Sequence, residues 1–283
     1  MSTNYDPIAE QYKRAKEQPW RCFVESFTLL ELTGDPTGLS VMDLACGEGF
    51  YSRMLRQQGA RSVLGVDLSA GMIQLAREQE TRQRLGVEYN VGDARSLNPA
   101  NKVDLVVAAY LLNYAQDQSE LQAMCEGVSR CLRPGGRFVT VNCSPLLHFP
   151  TAPSYRKYGF ETQAPSLWQE GAPIRWLFHL NDGAIEIENY HLNLDSHETA
   201  LRRAGFQTIR WVSPRVSPEG LAHNAESYWQ DLLENPPVVF MECIKTALDG
   251  GAIPDSLGTL DPVNLSRETS SQSCSHKRSR DAL

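Results

Sequence analysis

The segment Val41-Met42-Asp43-Leu44-Ala45-Cys46-Gly47-Glu48-Gly49 sets the tightest limit on the fold. A short apolar run ends in an acidic residue. A loop of small residues, spaced D-x-A-x-G-x-G, then opens the helical pattern of 50–58. This order predicts a buried parallel strand, a tight turn, and a helix whose first N–H groups lack partners within the helix. Small residues let backbone approach a ligand closely at such a helix start. The loop departs from the dinucleotide fingerprint G-x-G-x-x-G, because Ser52 stands where the third glycine would fall.

The same rhythm continues downstream. Further strands are predicted at 62–66, 87–91, 103–109 and 137–142, with helices at 70–79 and 119–132 between them. The second helix stops at Arg133-Pro134-Gly135-Gly136, where a proline and two glycines cannot continue it. Strands at 184–190 and 206–212, a helix at 196–203 and one helix at 219–233 complete the pattern. Alternation of this kind predicts a doubly wound, mostly parallel α/β sheet.

Three stretches stand apart. Residues 1–38 read as helices, with Tyr12, Trp20, Phe23 and Phe27 on an apolar stripe. Residues 144–182 hold five prolines and seven aromatic residues and read as an insertion into the main domain of 39–248. Residues 249–283 are rich in Gly, Ser, Pro and charge and read as a disordered tail.

Charge and cysteine usage narrow the function classes. Lys plus Arg total 27 against 34 Asp plus Glu, a net charge of −7, which argues against a nucleic-acid partner. No apolar run approaches the ~20 residues that span a bilayer. The N-terminus lacks the basic and apolar regions of a leader. The seven cysteines form no C-x-x-C pair, so reduced thiols in a cytoplasmic protein are expected, with no metal site.

Acidic residues recur at the predicted strand ends. Gly65-Val66-Asp67-Leu68-Ser69 places a carboxylate where it can accept the hydroxyl protons of a ribose, and Ser69 can cap the next helix. Gly92-Asp93-Ala94 follows the third strand, where a carboxylate can accept from an exocyclic adenine amine. Tyr110-Leu111-Leu112-Asn113-Tyr114 follows the fourth, at the mouth of the sheet. A simple turn explains Asp93 almost as well, and core packing explains Tyr110 and Tyr114 equally well.

Taken in order, D-L-A-C-G-E-G, G-V-D-L-S, G-D-A and L-R-P-G-G resemble the motif set of class I S-adenosylmethionine-dependent methyltransferases over residues 5–212. The resemblance implies a Rossmann-like seven-stranded sheet with its last strand antiparallel. It also implies S-adenosylmethionine as cofactor. Ala45, Gly47 and Gly49 would pack on its methionine portion, with Asp43 near the ammonium or sulfonium. Asp67 would bind the ribose, and Leu68, Met72, Gly92, Asp93 and Ala94 would surround adenine. Tyr110 would border the transferred methyl, and Tyr5 and Tyr12 resemble the N-terminal lid of small-molecule members. The opening and the first loop are also similar to methyltransferases of toxoflavin-type azapteridine biosynthesis, which act in secondary metabolism.

The expected acceptor is a small aromatic or heterocyclic metabolite. Tyr114, Tyr155 and Trp176 are candidate substrate contacts, and His191, then His148, are candidate bases, with His179 behind them. A positioned sulfonium needs no base in principle, because alignment supplies much of the acceleration. A nucleotide-dependent dehydrogenase, a protein or nucleic-acid methyltransferase and a non-catalytic cofactor-binding module are the rival readings.

Overall fold

The computed structural model describes residues 11, 14–181 and 183–247. Tyr5, Tyr12 and the expected tail at 249–283 lie outside the described residues.

Strands β1 (Ser40–Leu44), β2 (Ser62–Asp67), β3 (Glu88–Val91), β4 (Val103–Ala109), β5 (Leu132–Cys143), β9 (Phe206–Val212) and β10 (Val238–Lys245) form a seven-stranded sheet of order β3-β2-β1-β4-β5-β10-β9. β1 pairs in parallel with β2 on one side and β4 on the other. The strand order therefore reverses beside β1, and a crevice opens at the carboxyl ends of β1 and β4. β1 is covered on both faces: Val41 joins one buried cluster, and Met42 and Leu44 join the other. This explains its unbroken apolar run.

Helices α1 (Phe27–Thr33), α2 (Phe50–Gln57), α3 (Ala70–Gln83), α4 (Gln118–Cys131) and α5 (Leu194–Arg203) pack around this sheet. A π-helical turn, Arg21–Ser26, leads into α1. The long C-terminal helix read from sequence is instead two, α6 (Pro218–His223) and α7 (Glu226–Glu234), broken at Asn224 and Ala225 where the backbone is extended.

The sheet has the expected seven strands with the last antiparallel, but other residues form that last strand. β10 runs antiparallel between β5 and β9, in a stretch not read as a strand. The strand read at 184–190 leaves the main sheet. It is β8 (Gly183–Tyr190), and with β6 (Phe160–Gln163) and β7 (Pro173–Leu180) it forms a separate antiparallel sheet of order β6-β7-β8. The insertion thus extends to Tyr190, and its aromatic residues make their own core. Phe160 stacks on Tyr155 at 5.1 Å and on Trp176 at 5.4 Å, and Trp176 stacks on Phe178 at 6.0 Å. Pairing β7 with β8 places Trp176 opposite Ile187, so these rings have a buried surface to pack against.

Candidate active site

A cavity of about 390 Å³ lies at the carboxyl ends of β1, β2 and β4. Ala45 and Gly47 line it from the first loop, both in the left-handed region at φ of 55°. Gly49 has φ of 83° and starts α2, and a Cβ there would strike the Tyr89 ring. Two glycines and an alanine thus bend the chain sharply and bring its backbone to the cavity edge.

Asp67 sits at the tip of β2, in the cavity wall. Its Oδ2 accepts from Gly47 N–H and its Oδ1 from Ser69 N–H, both at 2.8 Å. Both oxygens are thus oriented by backbone N–H groups in the cavity wall. Ser69 caps α3 by accepting from Met72 N–H at 3.1 Å, which fixes Met72 in the same wall. Leu68 is also in the wall and 62 % exposed, an apolar surface uncovered beside the carboxylate.

Gly92, Asp93 and Ala94 line the cavity next to Asp67, and Gly92 N–H donates to Asp67 O at 2.9 Å. Asp93 is clamped by Arg95: Nη2 lies 2.7 Å from Oδ2, and Nε lies 3.0 Å from both oxygens. These bonds hold the Asp93 carboxyl below its ordinary range. Asp43 is not in the cavity wall. It is buried, and its Oδ2 accepts from Ser52 at 2.6 Å. Burial raises its carboxyl to about 6, opposed by Ser52 and the Lys16 ammonium.

Tyr110 and Tyr114 line this cavity and also a small adjoining chamber of about 10 Å³. Arg21, Trp176, Phe178, Ile187 and Asn189 complete the chamber. Tyr110 adopts φ of 66°, rare for a bulky residue, and its N–H bonds Val141 O at 2.8 Å. Its hydroxyl donates to Glu25 at 2.5 Å, and Tyr51 donates to the other oxygen at 2.8 Å. Burial, then the Glu25 charge, pushes both phenols well up. The Arg21 guanidinium lies 3.6 Å from Glu25 and 4.8 Å from the Phe178 ring centre.

The remaining sequence candidates lie elsewhere. His191 is buried and stacks on Trp168 at 4.3 Å, with Nε2 3.1 Å from Asn193 Oδ1. Burial lowers its pKa. His148 is exposed and bonds Thr151. Neither histidine lines the cavity or the chamber. His179 pairs with Glu161 at 2.9 Å. Tyr155 is fully buried, and its hydroxyl donates to Asn235 O at 2.6 Å. The structure therefore brings cofactor candidates from four strand ends together, leaves Asp43 and Gly49 out of the wall, and adds Trp176 and Tyr114 beside them. It leaves both leading histidines outside.

Sequence reasoning passed over Arg21, Glu25, Arg95 and Glu120. Arg21 and Glu25 sit one helical turn apart on the aromatic stripe of the N-terminal helix, where charges read as solvated. Glu120 stands three residues after Asp117, a helix-start spacing that could have been noticed.

A methyltransferase-domain family model matches residues 41–136. The chain is 22% identical to the N-demethylindolmycin N-methyltransferase of Streptomyces griseus, over 64% of this chain and 74% of that one. It is 32% identical to the ubiquinone/menaquinone biosynthesis C-methyltransferase UbiE of Desulfotalea psychrophila, over 56% of this chain and 63% of that one. The fold is similar to that of the S-adenosylmethionine-bound amino pentose methyltransferase CalS10 of Micromonospora echinaspora, with a TM-score of 0.57 at 17% identity, covering 84% of this chain and 97% of that one. With the motif order, the reversal of strand order at β1 and the carboxylate-lined cavity, these likenesses mark residues 41–136 as matching a methyltransferase domain, in a fold shared with an S-adenosylmethionine-bound methyltransferase.

Proposed function

We propose that the chain transfers the methyl group of S-adenosylmethionine to a nitrogen, oxygen or carbon of a small aromatic or heterocyclic metabolite. The observation that carries this reading is the shared wall: Tyr110 and Tyr114 border the cofactor cavity on one side and the aromatic chamber under the insertion on the other. A flat acceptor stacked on Trp176 and Phe178 would reach the cofactor's methyl directly once the Tyr110 and Tyr114 rings part, as in-line displacement requires. At about 10 Å³ the chamber holds no more than one water, so the acceptor enters by displacing rings of β7 and β8.

The residues present fit the cofactor. Asp67 offers lone pairs to ribose hydroxyls, Leu68, Met72 and Ala94 offer apolar surface to adenine, and Asp93 offers an acceptor to its amine. The methionine portion would lie along Ala45 and Gly47. When bound, S-adenosylmethionine supplies a methyl group already activated by its sulfonium.

The chain itself supplies alignment and exclusion of water. The Tyr110 hydroxyl keeps its proton and donates it in a hydrogen bond to Glu25, so the oxygen's own lone pairs would be what it offers an acceptor N–H or O–H. His191 serves in this reading as the support of Trp168, not as the base. The named relatives methylate an indolmycin precursor, quinones and an amino pentose, all small molecules. An azapteridine of the toxoflavin type is one flat heterocycle in the proposed class. A cytoplasmic setting and a role in secondary metabolism accompany this reading.

The test is release of S-adenosylhomocysteine with a panel of phenols, N-heterocycles and aromatic acids, run beside tRNA and protein extract. Turnover confined to small flat acceptors supports the proposal. Methyl incorporation into macromolecules alone, or none anywhere despite cofactor binding, overturns it.

A further inference from the structure

The adenine end of the cavity is built on a rail of hydrogen bonds that starts in α4. Asp117 caps that helix by accepting from Glu120 N–H at 2.9 Å, and Glu120 returns Oε2 to Gln116 N–H at 3.0 Å. This is a capping box shifted by one residue. The other oxygen, Oε1, accepts from Arg95 Nη1 at 3.2 Å. Arg95 in turn grips Asp93 through Nε, Nη2 and its own backbone N–H, the last at 2.9 Å.

The loop carrying these residues is fixed from below as well. Arg130 of α4 donates to Arg95 O at 2.5 Å and to Leu97 O at 3.0 Å. Gly127, also in α4, has no side chain where Ala94 O presses against the helix, and a Cβ there would overlap that oxygen.

A carboxylate offers about four lone-pair sites. Arg95 brings three donors to Asp93, with Nε shared between both oxygens, and the carboxylate edge, 30 % exposed, still faces the cavity, where a donor can reach it. Arg95 and Asp93 both line the cavity, so this fork sits at the ligand surface. A planar fork fixes the carboxylate plane in a way a point charge does not.

We infer that Arg95 is a specificity-determining positioning residue: anchored on Glu120, it holds Asp93 as a pure acceptor, so that the site takes a 6-amino purine nucleoside and refuses a 6-oxo one. An amino group donates to the exposed edge of that carboxylate. A carbonyl oxygen at the same place would face it acceptor to acceptor, with no donor between them. Without Arg95, the Asp93 side chain can rotate away or take a proton and donate to the carbonyl. The inference rests on the cofactor assignment above and adds the residue that enforces it.

The test uses the full chain and two probes, S-adenosylhomocysteine and S-inosylhomocysteine, titrated by calorimetry. The wild type is expected to prefer the adenosyl compound by about 100-fold or more. Arg95→Gln should weaken adenosyl binding by about tenfold and shrink the preference to below about tenfold. Arg95→Lys should restore affinity in part while leaving the preference reduced, because it returns the charge without the fork. Arg95 is partly exposed, and melting temperatures of the variants should stay near that of the wild type. An unchanged preference in Arg95→Gln overturns the inference and leaves the cofactor assignment standing. Absence of binding of either probe to the folded wild type overturns both.

Discussion

The hydroxyl of Tyr110 donates to the carboxylate of Glu25 across 2.5 Å, joining the end of β4 to the N-terminal helical segment 85 residues away. The bond holds Tyr110 in its left-handed conformation at the junction of the two cavities. Glu25 is 1 % exposed and also accepts from Tyr51 and faces Arg21. Removing its carboxylate would take the acceptor from Tyr110, leave Tyr51 only its contact with Ser26, and take a countercharge from Arg21 in the interior. Glu25→Ala should therefore destabilise the protein by about 3 kcal/mol or more, read by urea unfolding. Glu25→Gln keeps one acceptor and should cost less. Equal stability of Glu25→Ala and wild type would show that the network carries no weight.

A second relation concerns the glycines of β2 and the first loop. A Cβ on Gly65 would lie 2.6 Å from Tyr89 Cδ1 and 3.0 Å from Cys46 Sγ. Tyr89 is 4 % exposed and cannot swing clear. Gly65→Ala should cost about 1–3 kcal/mol through overpacking. In a double-mutant cycle with Tyr89→Leu, the two costs should fall well short of adding. Strict additivity in urea melts would mean the ring and the glycine are not in conflict.

These two cases show what the sequence could and could not disclose. The strand–loop–helix order and the acidic strand ends were legible because they are local: Asp67, Asp93 and the D-x-A-x-G-x-G loop each announce themselves within a few residues. Glu25 and Tyr110 meet only after the chain has folded, and nothing near Glu25 marks it as buried. β10 was obscured differently. Its apolar run after Pro236-Pro237 fits a buried strand, but Glu242 interrupts it, and its charge is answered by Arg137 at 2.6 Å and Arg210 at 2.6 Å from two neighbouring strands. The histidines were misleading for the reverse reason. Residue type suggested chemistry at His191, while its ring spends its surface on Trp168.

Asp67 should dominate cofactor affinity. Its two oxygens are already fixed by Gly47 and Ser69 N–H groups, so they are set for further donors before any ligand arrives. Asp67→Ala should weaken S-adenosylhomocysteine binding by on the order of 2 kcal/mol, about 30-fold, in calorimetry. Asp67→Asn retains one acceptor and should lose less. Unchanged affinity in Asp67→Ala would remove the residue from the ribose site.

The last prediction follows from Asp43. Burial lifts its carboxyl to about 6 from an ordinary value of 3.8. Between those values the folded chain keeps a proton that the unfolded chain has lost. Stability contributed at this site therefore falls as pH rises from about 4 to about 6, and levels off above. Two histidines push the other way: burial lowers His191 and His197, so their contribution is lost as pH falls through their ordinary range. Asp43→Asn isolates the carboxylate. It keeps an acceptor for Ser52 and removes the charge, so it should raise stability near pH 7 by about 1–3 kcal/mol and abolish the decline between pH 4 and 6. Thermal melts of both proteins across pH 4–8 read the difference directly. A gap that stays constant with pH would show that Asp43 titrates alike in the folded and unfolded chain.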